Sequence, residues 1–198
     1  ATGRLASADP NLQNIPIKGE IAEEIRGAFV PEEKGWVILT ADYSQIELRI
    51  VASIANDKKM IEAFEANADI HAATAAEVYG VPLADVTRQQ RRNAKTINFG
   101  VLYGLGHVGL AQQTGMSREE ARAFIEQYFT VYEGVATYIE ETKALATKLG
   151  YVETLFGRRR NISDLASPSP RLRAAAERMA INMPIQGTAA DLMKLAMK

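Results

Sequence analysis

The 198 residues include no cysteine and only two histidines. The first absence excludes disulfides, a thiolate nucleophile and cysteine-ligated zinc; the second leaves too few imidazoles for a histidine-rich metal site. Any bound metal is therefore to be held by oxygen. Long apolar runs are also lacking, since none approaches the ~20 residues that cross a bilayer, and Ala1 opens no secretion signal. The expectation is a cytoplasmic chain with no membrane contact. Neither internal repeats nor low-complexity tracts interrupt it.

What is present is a globular balance of 47% apolar and 24% charged residues, with a net charge of −1. That value hides an asymmetry. Residues 1–87 carry 7 Lys/Arg against 14 Asp/Glu, a net −7, and residues 88–198 carry 16 against 10, a net +6. A polyanion would find the second half the more attractive.

The most informative stretch is TRQQRRNAKTINFGVLYG, from Thr87 to Gly104. Thr87 and Gln90 have the spacing of a capping box, so a helix is predicted to start there. Along it Arg91, Lys95, Phe99 and Tyr103 recur every fourth residue and share one slowly drifting face. Two cations followed by two rings would suit a negatively charged, ring-containing ligand such as a nucleoside triphosphate. Taken alone, a cationic helix face is more often simply solvated. Glycines 104, 106 and 109 are expected to break the helical run after this stretch.

Before it, residues 1–20 are polar and punctuated by Gly and Pro, which predicts loops, with Arg4, Asn11, Gln13 and Asn14 as a group of hydrogen-bonding side chains. Two short apolar runs, at 28–30 and 36–39, flank a Pro/Gly turn and predict a hairpin within 27–43. Ser44 and Glu47 again have capping-box spacing, ahead of a helix through Ile54. Asp42 then lies at a strand-to-helix turn, a good position for a metal-binding carboxylate. Two helices are predicted in 57–86, the second capped by Asp69 and ending at Gly80-Val-Pro82, and a longer helical run over 117–149, split or kinked at Gly134. Residues 150–160 read as a hairpin with a basic end, Arg158 to Arg160, placed to meet phosphates or solvent. Ser169-Pro170 starts a last helix.

Several of these strings together resemble family A DNA polymerases. ADYSQIELRI at 41–50 and the Arg91-to-Gly104 pattern are the most specific, with TGRL at 2–5, DPNLQNIP at 9–16, DIHAATA at 69–75 and AAERMAINMPIQG at 175–187 in support. The resemblance implies an α+β, predominantly helical fold: a partial palm with short antiparallel strands, and helical fingers. It divides the chain into 1–60 (first part of the palm), 61–150 (fingers) and 151–198 (return to the palm). It implies templated DNA synthesis by two-Mg²⁺ nucleotidyl transfer, with primer–template DNA and deoxynucleoside triphosphates as partners. Asp42 and the Tyr43 carbonyl would ligate Mg²⁺, and Ser44, Gln45 and Ile46 would present amides to the triphosphate. Glu47 would wall off the sugar 2′ position. His71, Arg91 and Lys95 would meet phosphates, with Phe99 and Tyr103 against the sugar and the nascent base pair. Arg4, Asn11, Gln13, Asn14, Arg178, Asn182 and Gln186 would touch DNA.

The family's downstream His-Asp-Glu motif, with its second metal-bridging Asp, has no counterpart in the sequence. The chain is thus expected to be a fragment, inactive without the remainder of the polymerase. Two alternatives stand beside that reading: a DNA- or nucleotide-binding module without catalysis, and a relative of single-subunit RNA polymerases.

Overall fold

The computed structural model describes residues 2–17 and 19–198. Ala1 and Lys18, both in the stretch expected to be looped, lie outside the described residues. The chain forms α1 (Glu20–Gly27), α2 (Ile46–Ile54), α3 (Lys58–Glu65), α4 (Ile70–Tyr79), α5 (Arg88–Leu102), α6 (His107–Thr114), α7 (Arg118–Val131), α8 (Glu133–Leu149), β1 (Tyr151–Glu153), β2 (Arg159–Asn161) and α9 (Pro170–Ala196). A short 3₁₀ turn, Leu12–Asn14, interrupts the otherwise looped N-terminal stretch. β1 and β2 pair antiparallel, with Val152 opposite Arg160. The result is helical with a small antiparallel hairpin, as expected.

Four of the helices, α3, α4, α5 and α7, begin where a side chain satisfies the first free amides. Asp57 accepts from the Met60 N–H and Asp69 from those of His71 and Ala72. Thr87 with Gln90, and Ser117 with Glu120, form complete capping boxes. α1, which no pattern singled out, carries Glu20 and Glu23 in its first turn and Arg26 in its last, matching the helix dipole.

The main core gathers Leu48, Val51, Met60, Ile97, Tyr128 and Val135, among others, from α2 to α8. A second, smaller core joins Ala146, Val152, Ile162, Leu165, Ala176 and Met183 around the hairpin. α9 serves both, because Ile181 and Ile185 face the first core while Ala176, Ala180 and Met183 face the second. Pro184 removes the N–H that would bond the Ala180 carbonyl, yet the helix runs on through it. Tyr138 steadies that turn, its hydroxyl donating to the Ile181 carbonyl at 3.1 Å.

Four expectations need correction. No strand forms in 27–43, where Trp36, Val37, Ile38 and Leu39 are all more than half exposed. A strand needs a neighbour for its backbone groups, and the described chain offers this segment none. The Ser44–Glu47 capping box is also absent. Gln45 occupies the cap with φ 54°, and Glu47 turns away to a cation and a phenol, which give its charge stronger partners than one backbone amide. Gly109 lies inside α6 and does not break it.

The division of the 117–149 run falls at Tyr132 (φ −110°, ψ 67°), and Gly134 sits in the first turn of α8. Gly134 is required there for close approach: an added Cβ would stand 2.7 Å from the Ala55 carbonyl oxygen. Its N–H donates to Asp57 at 3.0 Å, so one buried carboxylate ties the starts of α3 and α8 together.

Candidate nucleotide and nucleic-acid site

The predicted face of α5 opens on a cavity of about 610 Å³ lined by Arg92, Lys95, Thr96, Phe99, Tyr103 and, from α9, Arg178. Arg178 reaches this wall because residue 104 is glycine. Gly104 adopts φ 66°, and a Cβ there would lie 2.4 Å from Arg178 Cγ. Arg91 does not line the cavity. Its Nε donates to Asp69 at 2.7 Å, turning it toward the start of α4 beside His71.

Burial alone would raise the Asp69 carboxyl, but the Arg91 hydrogen bond and charge and the Ala72 and His71 amides outweigh it and hold the group below its usual range. His71 is buried and held down to about 4, chiefly by desolvation, with the Arg91 and Lys95 charges adding and Asp69 opposing. It is a neutral imidazole at neutral pH. Its ring packs tilted against Phe99, with centroids 5.6 Å apart.

A second cavity, of about 570 Å³, brings together Arg4, Gln13, Asp42, Tyr43, Ile46 and Glu47, with α9 supplying Ala189 and Met193. Three separate stretches of sequence converge there. Glu47 forms an ion pair with Arg4 and accepts a hydrogen bond from the Tyr103 hydroxyl at 3.0 Å, and Gln186 donates to the same hydroxyl at 2.8 Å. Tyr103 lines the first cavity and Glu47 the second, so this chain of contacts lies where the two adjoin. Burial, and then the Glu47 charge, raise the Tyr103 phenol above its ordinary value despite the opposing Gln186 bond and Arg4 charge. It remains a donor at any physiological pH.

Other expected residues are less gathered. Ser44 and Gln45 lie at the start of α2 but line neither cavity. Asn11 is spent locally, accepting from the Gln13 N–H at 3.1 Å, while Gln13 donates to the Leu5 carbonyl at 2.9 Å. Asn14 is exposed. Asn182 is half-buried, and its Oδ1 has no partner. Arg158 is not a phosphate-facing cation. It donates to Asp191 at 2.9 Å and to the Thr2 and Gly187 carbonyls at 2.7 and 2.9 Å, pinning the N-terminal segment to α9. The Arg158–Asp191 pair, the Glu47–Tyr103 link and the partners of His71 all join residues far apart in sequence. A buried Asn98 on the apolar side of α5 was the one local sign of the last.

Asp42 is exposed, and among the described residues no three acidic or histidine side chains cluster so as to hold a metal ion. One free carboxylate fits one side of an ion site, not a complete one.

A cationic and aromatic helix face thus stands beside an exposed carboxylate and an Arg4/Gln13 pair. The family model described as DNA polymerase family A matches residues 1–198, and the chain belongs to that family. It is 56% identical over 197 residues to DNA polymerase I of Pseudomonas aeruginosa, covering 100% of this chain and 22% of that protein. Against the thermostable DNA polymerase I of Thermus aquaticus the identity is 54%, with 100% and 24% covered. Among solved structures, it resembles the POL domain of Pol1 from M. smegmatis in complex with DNA primer-template and dNTP. That likeness has a TM-score of 0.92 at 48% identity, over 99% of this chain and 35% of that one. The chain thus spans about a quarter of the length of the curated relatives it matches.

Proposed function

We propose that this chain is the nucleotide-selecting part of a DNA-directed DNA polymerase, comprising the fingers and a portion of the palm. The observation that carries the reading is the face of α5, where Lys95, Phe99 and Tyr103 line one cavity opposite Arg178. The named ligands of the M. smegmatis relative support it. In the reaction, the primer 3′-oxygen bonds to the α-phosphorus of a deoxynucleoside triphosphate, and the bond to the departing pyrophosphate breaks. Lys95 and Arg91 meet the phosphates where charge develops, and His71 adds a neutral donor. Phe99 packs on sugar and base, and Tyr103 borders the nascent pair.

Arg91 starts this cycle on Asp69. An arriving phosphate therefore competes with Asp69 for the guanidinium, at the exchange of one half-exposed ion pair for another. Glu47 is fixed by Arg4 and Tyr103 and closes the space beside the sugar 2′ carbon, which favours a deoxyribose and weighs against an RNA polymerase. Arg4, Gln13, Arg178, Asn182 and Gln186 contact duplex DNA, with Asn11 and Asn14 at the edge.

Residues 1–60 and 151–198 belong to the palm and 61–150 to the fingers in this reading, with α9 bracing both. Mg²⁺ is the ion the family chemistry calls for, with Asp42 and the Tyr43 carbonyl on one side of its site. Two adjacent ions need bridging carboxylates from two places. The described residues supply only one, so the site is incomplete without a second segment. The exposed apolar run Trp36–Leu39 is the surface on which that segment, the remainder of the polymerase, would pair. No helix among the described residues is long and apolar enough to cross a membrane. A cytoplasmic location accords with the proposed work on DNA.

Primer extension tests this. The chain alone is expected to retain primer–template in a salt-sensitive way and to extend it negligibly, while addition of the C-terminal palm segment restores Mg²⁺-dependent synthesis. A module that only binds would retain DNA and stay inactive with the segment supplied.

A further inference from the structure

Behind the α5 face lies a polar network of four buried side chains, His71, Thr74, Asn98 and Tyr132, each no more than 3% exposed. Counting its hydrogens fixes its direction. The Thr74 hydroxyl donates to the Ile70 carbonyl at 2.7 Å, the shortest contact it makes, and so has no hydrogen left for its other neighbours. Tyr132, 2.9 Å away, must donate to it. The amide of Asn98 must also turn its NH₂ toward Thr74, with Nδ2 at 3.0 Å and Oδ1 farther off at 3.3 Å. The second hydrogen of that NH₂ points at His71 Nδ1, 3.1 Å away. Nδ1 is then an acceptor, and the single proton of the neutral ring sits on Nε2.

Nε2 has no partner among the described residues. It is not among the buried nitrogen and oxygen atoms that lack one, which are Asn182 Oδ1 and Asp191 Oδ2. The slight exposure of the ring therefore includes Nε2. Asp69, the cap of α4, and Arg91 and Lys95 on α5 are the charged groups that act on this ring. The Tyr132 phenol, at the α7–α8 junction, reaches it through Thr74 and Asn98.

We propose that Asn98 is a positioning residue that holds His71 in the Nε2–H tautomer, so that a neutral imidazole presents a hydrogen-bond donor to a triphosphate oxygen. The donor half of this inference rests on the function proposed above; the tautomer half does not. Asn98 supplies the hydrogen that Nδ1 accepts, Thr74 fixes the rotation of the Asn98 amide, and Tyr132 anchors Thr74 from the far side of the core. Without that chain the imidazole could carry its proton on Nδ1 and offer the anion a lone pair, which repels it.

Long-range ¹H–¹⁵N spectra of the histidine-labelled chain, with His107→Gln to leave one imidazole, read the tautomer directly. Expected are a bare Nδ1 and a protonated Nε2 from pH 5.5 to 8. Asn98→Asp, which can only accept, should move the proton to Nδ1 or protonate both nitrogens, and Asn98→Ala should give a mixture. Titration with dTTP should then shift His71 Nε2, and Asn98→Ala and His71→Ala should each weaken dTTP binding about tenfold, as for a lost bond to a charged group. The double variant should be no worse than His71→Ala alone. A wild-type ring with its proton on Nδ1, or a tautomer indifferent to both Asn98 variants, overturns the proposal whatever nucleotide does. An Nε2–H tautomer set by Asn98 together with dTTP binding that ignores His71→Ala upholds the tautomer assignment and overturns the phosphate contact.

Discussion

The α5 face and the segment bearing Asp42 belong to one proposed site, yet they are held in opposite ways. α5 starts in a complete capping box, buries Ile97, Asn98 and Val101 against α4 and the main core, and has its Arg91 held by Asp69. The run into Asp42 is extended coil, with Leu39 88% and Val37 84% exposed. One half of the site is organised by contacts within the chain. The other half holds its carboxylate at the end of a segment whose backbone and apolar side chains are still unpartnered. In the proposed reading, charged donors are therefore preorganised by contacts within the chain, and metal binding waits on a second segment.

The largest expected effect tests the unfinished half. Once the missing palm segment restores synthesis, Asp42→Asn should abolish it by about 10³-fold or more, at or above the loss of one preorganised charged group. Robust extension by the 198-residue chain alone, with that variant as the inactive control, would erase the contrast.

The finished half is tested by Lys95→Ala, expected to slow single-turnover incorporation in the complemented enzyme by about 10²–10³-fold, or ~3–4 kcal/mol. Stability of the chain should hardly change, because Lys95 is exposed and has no partner among the described ion pairs. An unchanged rate would remove the phosphate role.

Acid should loosen the network behind α5. His71 titrates near 4 in the fold and near 6.5 when unfolded, so between those values only the unfolded chain takes up the proton. Stability is then lost as pH falls from about 6.5 to about 4, by roughly 3 kcal/mol at most. Asp69, held below its usual 3.8, adds its own loss only under that window. Denaturant midpoints measured from pH 7 to 4 should fall in the wild type and flatten in His71→Gln.

Where the two halves meet, a smaller effect is expected. Tyr103→Phe removes the hydroxyl that Gln186 donates to and that Glu47 accepts from, leaving a buried amide unpaired. The cost should be about 1–2 kcal/mol in unfolding free energy. Discrimination against ribonucleotides in the complemented enzyme should weaken as Glu47 gains freedom; equal discrimination would show that Arg4 alone fixes it.

The sequence by itself determined what depends on neighbours within a few residues. Capping pairs, helical periods and the hairpin at 150–160 are local physics, so α4, α5, α7, β1 and β2 were legible, as was the face bearing Arg91, Lys95, Phe99 and Tyr103. The motif strings, being specific in residue and spacing, carried the family as well. Only the tertiary structure decided the rest. Glu47 has the spacing of a cap but bonds Arg4 and Tyr103, because charge-assisted contacts from 43 and 56 residues away outweigh a local amide. Arg158 reads as a cation for phosphates or solvent until Asp191 and the Thr2 and Gly187 carbonyls surround it. The run at 28–39 has the pattern of strands and is not one, since a strand is made by its neighbour and not by its own residues. The proton on His71 is likewise set by Asn98 and Thr74, and no period or spacing in the chain records which side chains a fold will bring within 3 Å of each other.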